Sequence, residues 1–132
     1  MLRAGRCAKF TSEEYLALEE AALTRNEYYR SVIYAMVGGT VDHGIVSLNI
    51  GSGLRSQLRD RPCAVLPGDV KLHVTANGLY AYPDVMVVCG KVESVGRRKD
   101  VVTNPALIVE ALSDLVSVNC ALAEVRSKVS WA

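Results

Sequence analysis

Asp84 and Glu110 are the side chains in this sequence whose positions ask for chemistry. Asp84 follows Pro83 and opens the apolar run Val85 to Val88, and Glu110 stands inside a second run, Ala106 to Leu112. Proline lacks a backbone donor and belongs at a strand's first position or edge, so Asp84 marks where an extended chain enters the core. A turn aspartate accepting a backbone hydrogen bond would explain it equally well. Glu110 asks for more, because an unpaired charge in an apolar run costs several kcal/mol. An arginine or lysine, protonation or a metal ion must compensate. Two carboxylates at neighbouring strand positions repel, which raises one pKa unless a divalent cation lies between them. Oxygen ligands at a sheet edge suit magnesium, which takes one or two carboxylates and keeps its waters.

Glu27, in Thr24-Arg25-Asn26-Glu27-Tyr28-Tyr29, is a third candidate. Its spacing fits an exposed strand-edge glutamate paired with Arg25 or a lysine just as well. His43 and His73 are far apart and lack zinc-ligand spacing; both are read as structural or surface residues.

The elements that must position these groups follow from pattern. Thr11 with Glu14 three residues on predicts a capping box, and Phe10 and Tyr15 a hydrophobic staple, at the start of a helix running to about residue 26. Its inward stripe is expected to be Tyr15, Leu18 and Ala22, with Ala21 and Leu23 beside it. The segment 27–37, rich in aromatic and β-branched residues, predicts one strand. Val46, Ile50, Leu54 and Leu58 fall at four-residue steps and predict a second helix, ended by Pro62. Gly44, Gly51 and Gly53 each cost that helix up to about 1 kcal/mol relative to alanine, and could serve close packing on a sheet. Strands are predicted at 63–66, 70–74 and 84–89, with Asn77-Gly78 as a hairpin turn signal. A charged loop covers 90–100, and a last strand covers 106–112. Leu115, Val118, Leu122 and Val125 predict a helix in the tail. The order is that of a single α/β or α+β domain over residues 1–132.

The totals agree. The chain has 132 residues, half of them apolar and 22% charged, with a formal net charge of +1. That balance argues against a basic nucleic-acid grip over the whole surface but not against a local patch. The cysteines at 7, 63, 89 and 120 form no C-x-x-C pair. They are read as buried free thiols of a reducing compartment. No stretch approaches the roughly 20 apolar residues of a membrane helix, and the basic start has no apolar signal region. The cytoplasm is the expected location.

Read in order, Glu14-Tyr15-Leu16-Ala17-Leu18-Glu19-Glu20, Arg25-Asn26-Glu27-Tyr28-Tyr29, the segment 34–50, Pro62-Cys63, Tyr82-Pro83-Asp84-Val85-Met86-Val87-Val88-Cys89 and the segment 103–113 resemble the Uma-type family of restriction-endonuclease-like proteins, in the PD-(D/E)xK nuclease superfamily. The resemblance runs over residues 10–113, and 114–132 form a divergent tail. It implies a mixed sheet of about four strands flanked by helices, and metal-assisted hydrolysis of DNA phosphodiesters. In its terms Asp84 and Glu110 hold magnesium or manganese, Glu27 assists, and the Ala111 carbonyl is a further ligand. Arg55, Arg59, Arg61, Arg97, Arg98 and Lys99 are expected to contact phosphates.

The departures lie after the second carboxylate. A superfamily lysine would stand at Leu112, and the family carries it instead on the following helix. By count that place is Glu124, with Arg126 and Lys128 close by as substitutes. The family's glycine after the Glu-Tyr pair is replaced by Ser31. Loss of similarity after Ser113 reads as a frame change or a truncated copy. The sequence therefore supports two expectations. One is a magnesium-dependent endonuclease that self-associates, a dimer first, with weakened activity. The other is a non-catalytic nucleic-acid-binding or dimerising module on the same fold.

Overall fold

The computed structural model describes residues 8–36 and 38–111. Their order is α1 (Ser12–Ala21), β1 (Asn26–Tyr29), β2 (Val32–Ala35), α2 (Val41–Gln57), β3 (Cys63–Pro67), β4 (Lys71–Val74), β5 (Leu79–Ala81), β6 (Val85–Cys89), β7 (Val101–Val102) and β8 (Leu107–Val109). The fold is mixed α+β. The strands divide into two sheets rather than one: a five-stranded sheet ordered β2-β1-β5-β4-β7 and a three-stranded sheet ordered β3-β6-β8. All pairings are antiparallel except β4 with β7.

The first helix begins as its sequence dictates. Thr11 accepts the N–H of Glu14, and Glu14 accepts the N–H of Thr11 at 2.7 Å. Phe10 packs in the cluster of Tyr15, Tyr28, Tyr80 and Val101. Tyr15 is fully buried and stacks on Tyr28 with ring centroids 5.0 Å apart. The expected stripe ends there, because Leu18 is 51% exposed and Leu23 wholly so. One turn beyond Tyr15, Glu19 turns inward instead. Its carboxylate accepts the Asn26 backbone and side-chain N–H groups and the Tyr82 hydroxyl. This fastens the end of α1 to the start of β1.

The single strand expected over 27–37 is a hairpin. Arg30 and Ser31 form its two-residue turn, with φ of 46° and 68°. Two left-handed residues match the right-handed twist of the flanking strands. The sequence hid the turn because neither residue is a glycine or asparagine. Asn77-Gly78 turns the chain between β4 and β5 as predicted, with Gly78 at φ 76°.

Helix α2 starts at Thr40, whose hydroxyl accepts the N–H of His43. Ile50, Leu54 and Leu58 are half-buried, while Val46 joins Val41, Ile45 and Leu48 among the exposed apolar residues. Gly51 faces β6: a Cβ there would touch Val85 at 3.8 Å. Beneath it, β6 is buried from Val85 to Val88, and Met86 and Val88 pack with Leu72 and Val102 between the sheets.

The thiol reading is corrected at two positions. Cys63 and Cys89 stand opposite one another in the β3–β6 ladder and are joined as a disulfide. Strand register, which the sequence does not display, makes the pair. Cys7 and Cys120 lie outside the described residues, as do Lys128 and the predicted tail helix.

Candidate functional site

The β6–β8 ladder sets the geometry. Its register pairs Val85 with Val109, Met86 with Ile108 and Val87 with Leu107. Asp84 and Glu110 are the next residues along the two chains, just outside the last pair. Both carboxylates therefore belong to one end of the three-stranded sheet.

Asp84 is half-buried. Its Oδ2 accepts the backbone N–H of Ala111 at 2.7 Å and lies 3.2 Å from Nε2 of His43. Three elements meet at this oxygen: the start of β6, the residues after β8 and the first turn of α2. The bland reading of Asp84, a carboxylate that accepts a backbone N–H, holds as a local fact. The donor comes from 27 residues away, not from a turn.

Glu110 corrects an expectation. It is exposed, not enclosed in an apolar run. Strand β8 has only three residues and lies at the edge of its sheet, with Leu107 exposed, so the run skirts the core rather than crossing it.

Glu27 lies on β1 of the other sheet, opposite Tyr34 and half-buried. Among the described residues no three His, Cys, Asp or Glu side chains gather closely enough to hold a metal ion. Glu27, Asp84 and Glu110 thus do not form a preassembled triad. The Ala111 residue expected as a carbonyl ligand gives its N–H to Asp84.

The sequence predicts a structural or surface role for His43, and the structure puts its ring against Asp84. The signal was weak but present: His43 is the third residue of a helix capped by Thr40, so its direction is fixed. Nothing in the sequence told which distant side chain it faces. His73 is structural as read. Its ring stacks on Tyr80, with centroids 4.1 Å apart, and Nδ1 donates to the Leu79 carbonyl. Burial holds its pKa below the ordinary 6.5, against the opposing pull of that bond.

A second polar cluster escaped the sequence reading. Lys71 on β4 is only 3% exposed, 3.3 Å from Asp100 and 5.9 Å from the ring centres of both Tyr15 and Tyr82. Burial favours the neutral carboxyl of Asp100, but hydrogen bonds and charge from Arg98 and Lys71 outweigh it and hold the pKa down. Burial above all, then Glu19, raises both Tyr15 and Tyr82, so both stay neutral hydroxyl donors. Arg98, expected at phosphates, pairs with Asp100 at 3.2 Å and approaches Glu20. Arg55, Arg59, Arg61, Arg97 and Lys99 are exposed.

A family model described as "Uma2: Putative restriction endonuclease" matches residues 12–115. Two uncharacterised proteins of Synechocystis sp. are each 32% identical to this chain. One match covers 78% of the chain and 58% of the relative, the other 80% and 54%. The chain thus spans little more than half the length of these curated relatives. The crystal structure of "a putative nuclease belonging to DUF820" from Anabaena variabilis is similar in fold, with a TM-score of 0.69 at 18% identity. That match covers 89% of this chain and 64% of the other.

Proposed function

The chain belongs to the Uma2 family of restriction-endonuclease-like proteins, and we propose that the end of the β6–β8 ladder is the metal-binding part of a DNA phosphodiesterase site. The observation that carries this reading is the β6–β8 register, whose last pair, Val85 with Val109, has Asp84 and Glu110 as the next residues along the two chains. The donor set suits magnesium or manganese, which bind through one or two carboxylates and keep their remaining positions for water and phosphate. Asp84 and Glu110 would hold the ion, with the Ala111 carbonyl beside them. A divalent ion held there would supply charge stabilisation for the phosphate and a more acidic attacking water.

The chain's own residues do the rest. Ala111 gives its backbone N–H to Asp84 Oδ2, tying the carboxylate to the residues after β8. Arg55, Arg59 and Arg61, at the end of α2 and just beyond it, are exposed cations able to hold a phosphate backbone, a grip that weakens with salt. Glu27 would assist from the neighbouring sheet. Lys128, in the tail, would orient the water. Self-association as a dimer belongs to the same reading, supported by the exposed apolar stripe of Val41, Ile45 and Leu48; light scattering reads it directly.

A second reading is a binding module without catalysis. Glu124 favours it, because it puts a negative charge where the family's lysine falls by count. One experiment separates the two. Manganese binding is measured by calorimetry, and plasmid cleavage is assayed in magnesium and in manganese, beside Asp84→Asn and Lys128→Ala. Cleavage lost in both variants supports the nuclease. Metal or DNA binding without cleavage supports the module. No manganese binding by the wild-type chain sinks the metal site.

A further inference from the structure

We infer that His43 is a positioning residue for Asp84, clamping one carboxylate oxygen so that the other is the one offered to the metal ion. The inference rests on the metal-site reading above and assigns work to a residue which that reading needs only as a neighbour.

The argument starts at the N-terminus of α2. Thr40 caps the helix by accepting the N–H of His43 at 3.1 Å. This fixes the histidine backbone within the first turn, on the side facing the start of β6. The ring then reaches Asp84, with Nε2 3.2 Å from Oδ2. A carboxylate oxygen accepts, so Nε2 of His43 is the donor of this pair. The loop before the helix leaves room for this ring. A Cβ built on Gly39 would lie 3.1 Å from Nδ1 of His43, closer than side chains ordinarily pack. Glycine at that position lets the backbone pass beside the imidazole.

The second hold on Oδ2 is independent. The Ala111 N–H reaches it from the end of β8 at 2.7 Å. Both bonds fall on the same oxygen, Oδ2. A carboxylate pinned at one oxygen from two elements cannot rotate freely. Its other oxygen keeps a fixed direction at the end of the ladder. Outer partners of this kind orient metal ligands, and losing one typically lowers metal affinity by about 10–100-fold.

The test is manganese titration by calorimetry on the full chain, with wild type, Asp84→Asn, His43→Leu, His43→Asn and His43→Gln. Leucine has no donor, and the asparagine amide stops short of Asp84. The glutamine amide nitrogen can stand near the place of Nε2. Metal-free thermal melts show which variants fold, and the leucine and asparagine variants back each other up. The expected result is a roughly tenfold or greater loss of affinity in the leucine and asparagine variants, with most of it recovered by glutamine. Wild-type affinity in the leucine and asparagine variants overturns the inference alone and leaves the metal site standing. Equal weakening in all three also overturns it, since packing rather than a donated bond would then be at work. If the wild type binds no manganese, or Asp84→Asn binds as well as wild type, the metal-site reading fails first and the inference falls with it.

Discussion

Asp84 accepts the backbone N–H of Ala111 at 2.7 Å, a bond that joins the start of β6 to the end of β8 across 27 residues of chain. An asparagine at 84 can still accept that bond but has lost the charge. Asp84→Asn should therefore melt within a few degrees of wild type without metal, yet lose the stabilisation expected from manganese at the proposed site. That gain is about 2.7 kcal/mol at a hundredfold excess over Kd for a ligand that binds only the native state. Thermal melts with and without millimolar manganese check it. A shift retained in the variant would place the ion elsewhere.

Ser31→Gly should stabilise the fold by about 0.5–1 kcal/mol. Ser31 sits at φ 68°, where an L side chain costs about 1–2 kcal/mol and glycine gives back only part through its larger unfolded-state entropy. Urea unfolding reads the difference. A destabilised variant would mean that the serine side chain holds the turn by a bond of its own.

Asp100→Ala and Lys71→Met should differ in a telling direction. Removing Asp100 leaves a buried ammonium without its carboxylate, at about 1–3 kcal/mol. Replacing Lys71 with methionine removes the charge and leaves an apolar chain against Tyr15 and Tyr82, which buried-ion replacements tolerate well. Denaturant midpoints for both variants test the ordering. Equal losses would show that the lysine charge itself is needed.

Stability should fall as the solution is acidified below pH 6.5, in part through His73. Burial depresses its folded-state pKa below the ordinary 6.5. The unfolded chain therefore takes up the proton first. The contribution is fully present above 6.5 and is lost as pH falls toward the folded value. His73→Asn, which can keep a donor toward the Leu79 carbonyl, should flatten that part of the profile. Melting curves at closely spaced pH values would show it, and an unchanged slope in the variant would acquit His73.

Reducing agent should lower the melting temperature. The Cys63–Cys89 bond closes a loop with a sequence separation of 26, for which chain entropy alone gives about 3.5 kcal/mol. Melts with and without dithiothreitol, beside Cys63→Ala, measure it. An identical Tm under both conditions would show the thiols to be unjoined.

What the sequence displayed was whatever is decided within a few residues. Thr11 and Glu14 are three apart, and their capping box appears as read. Asn77-Gly78 carries its turn conformation in its own composition, and Pro83-Asp84 announces the start of β6. The turn at Arg30-Ser31 is just as short but was invisible, because pairing between β1 and β2 imposes it against local preference. Glu110 misled because an apolar run looks the same whether it crosses a core or borders one. His43 and Asp84, like Cys63 and Cys89, are brought together by packing and register over tens of residues. Such relationships exist only once the strands have been aligned.

That dependence has a kinetic side. The hydrogen bonds to Asp84 close spans of 41 and 27 residues, whereas the β1–β2 hairpin closes across two. Chain entropy must be overcome before distant contacts repay it. During folding, α1 and the first hairpin can form while Asp84, His43 and Ala111 are still apart. The protein is thus expected to acquire its local elements first and its candidate site last. A metal-sensitive signal in a refolding experiment should accordingly lag behind the recovery of helix.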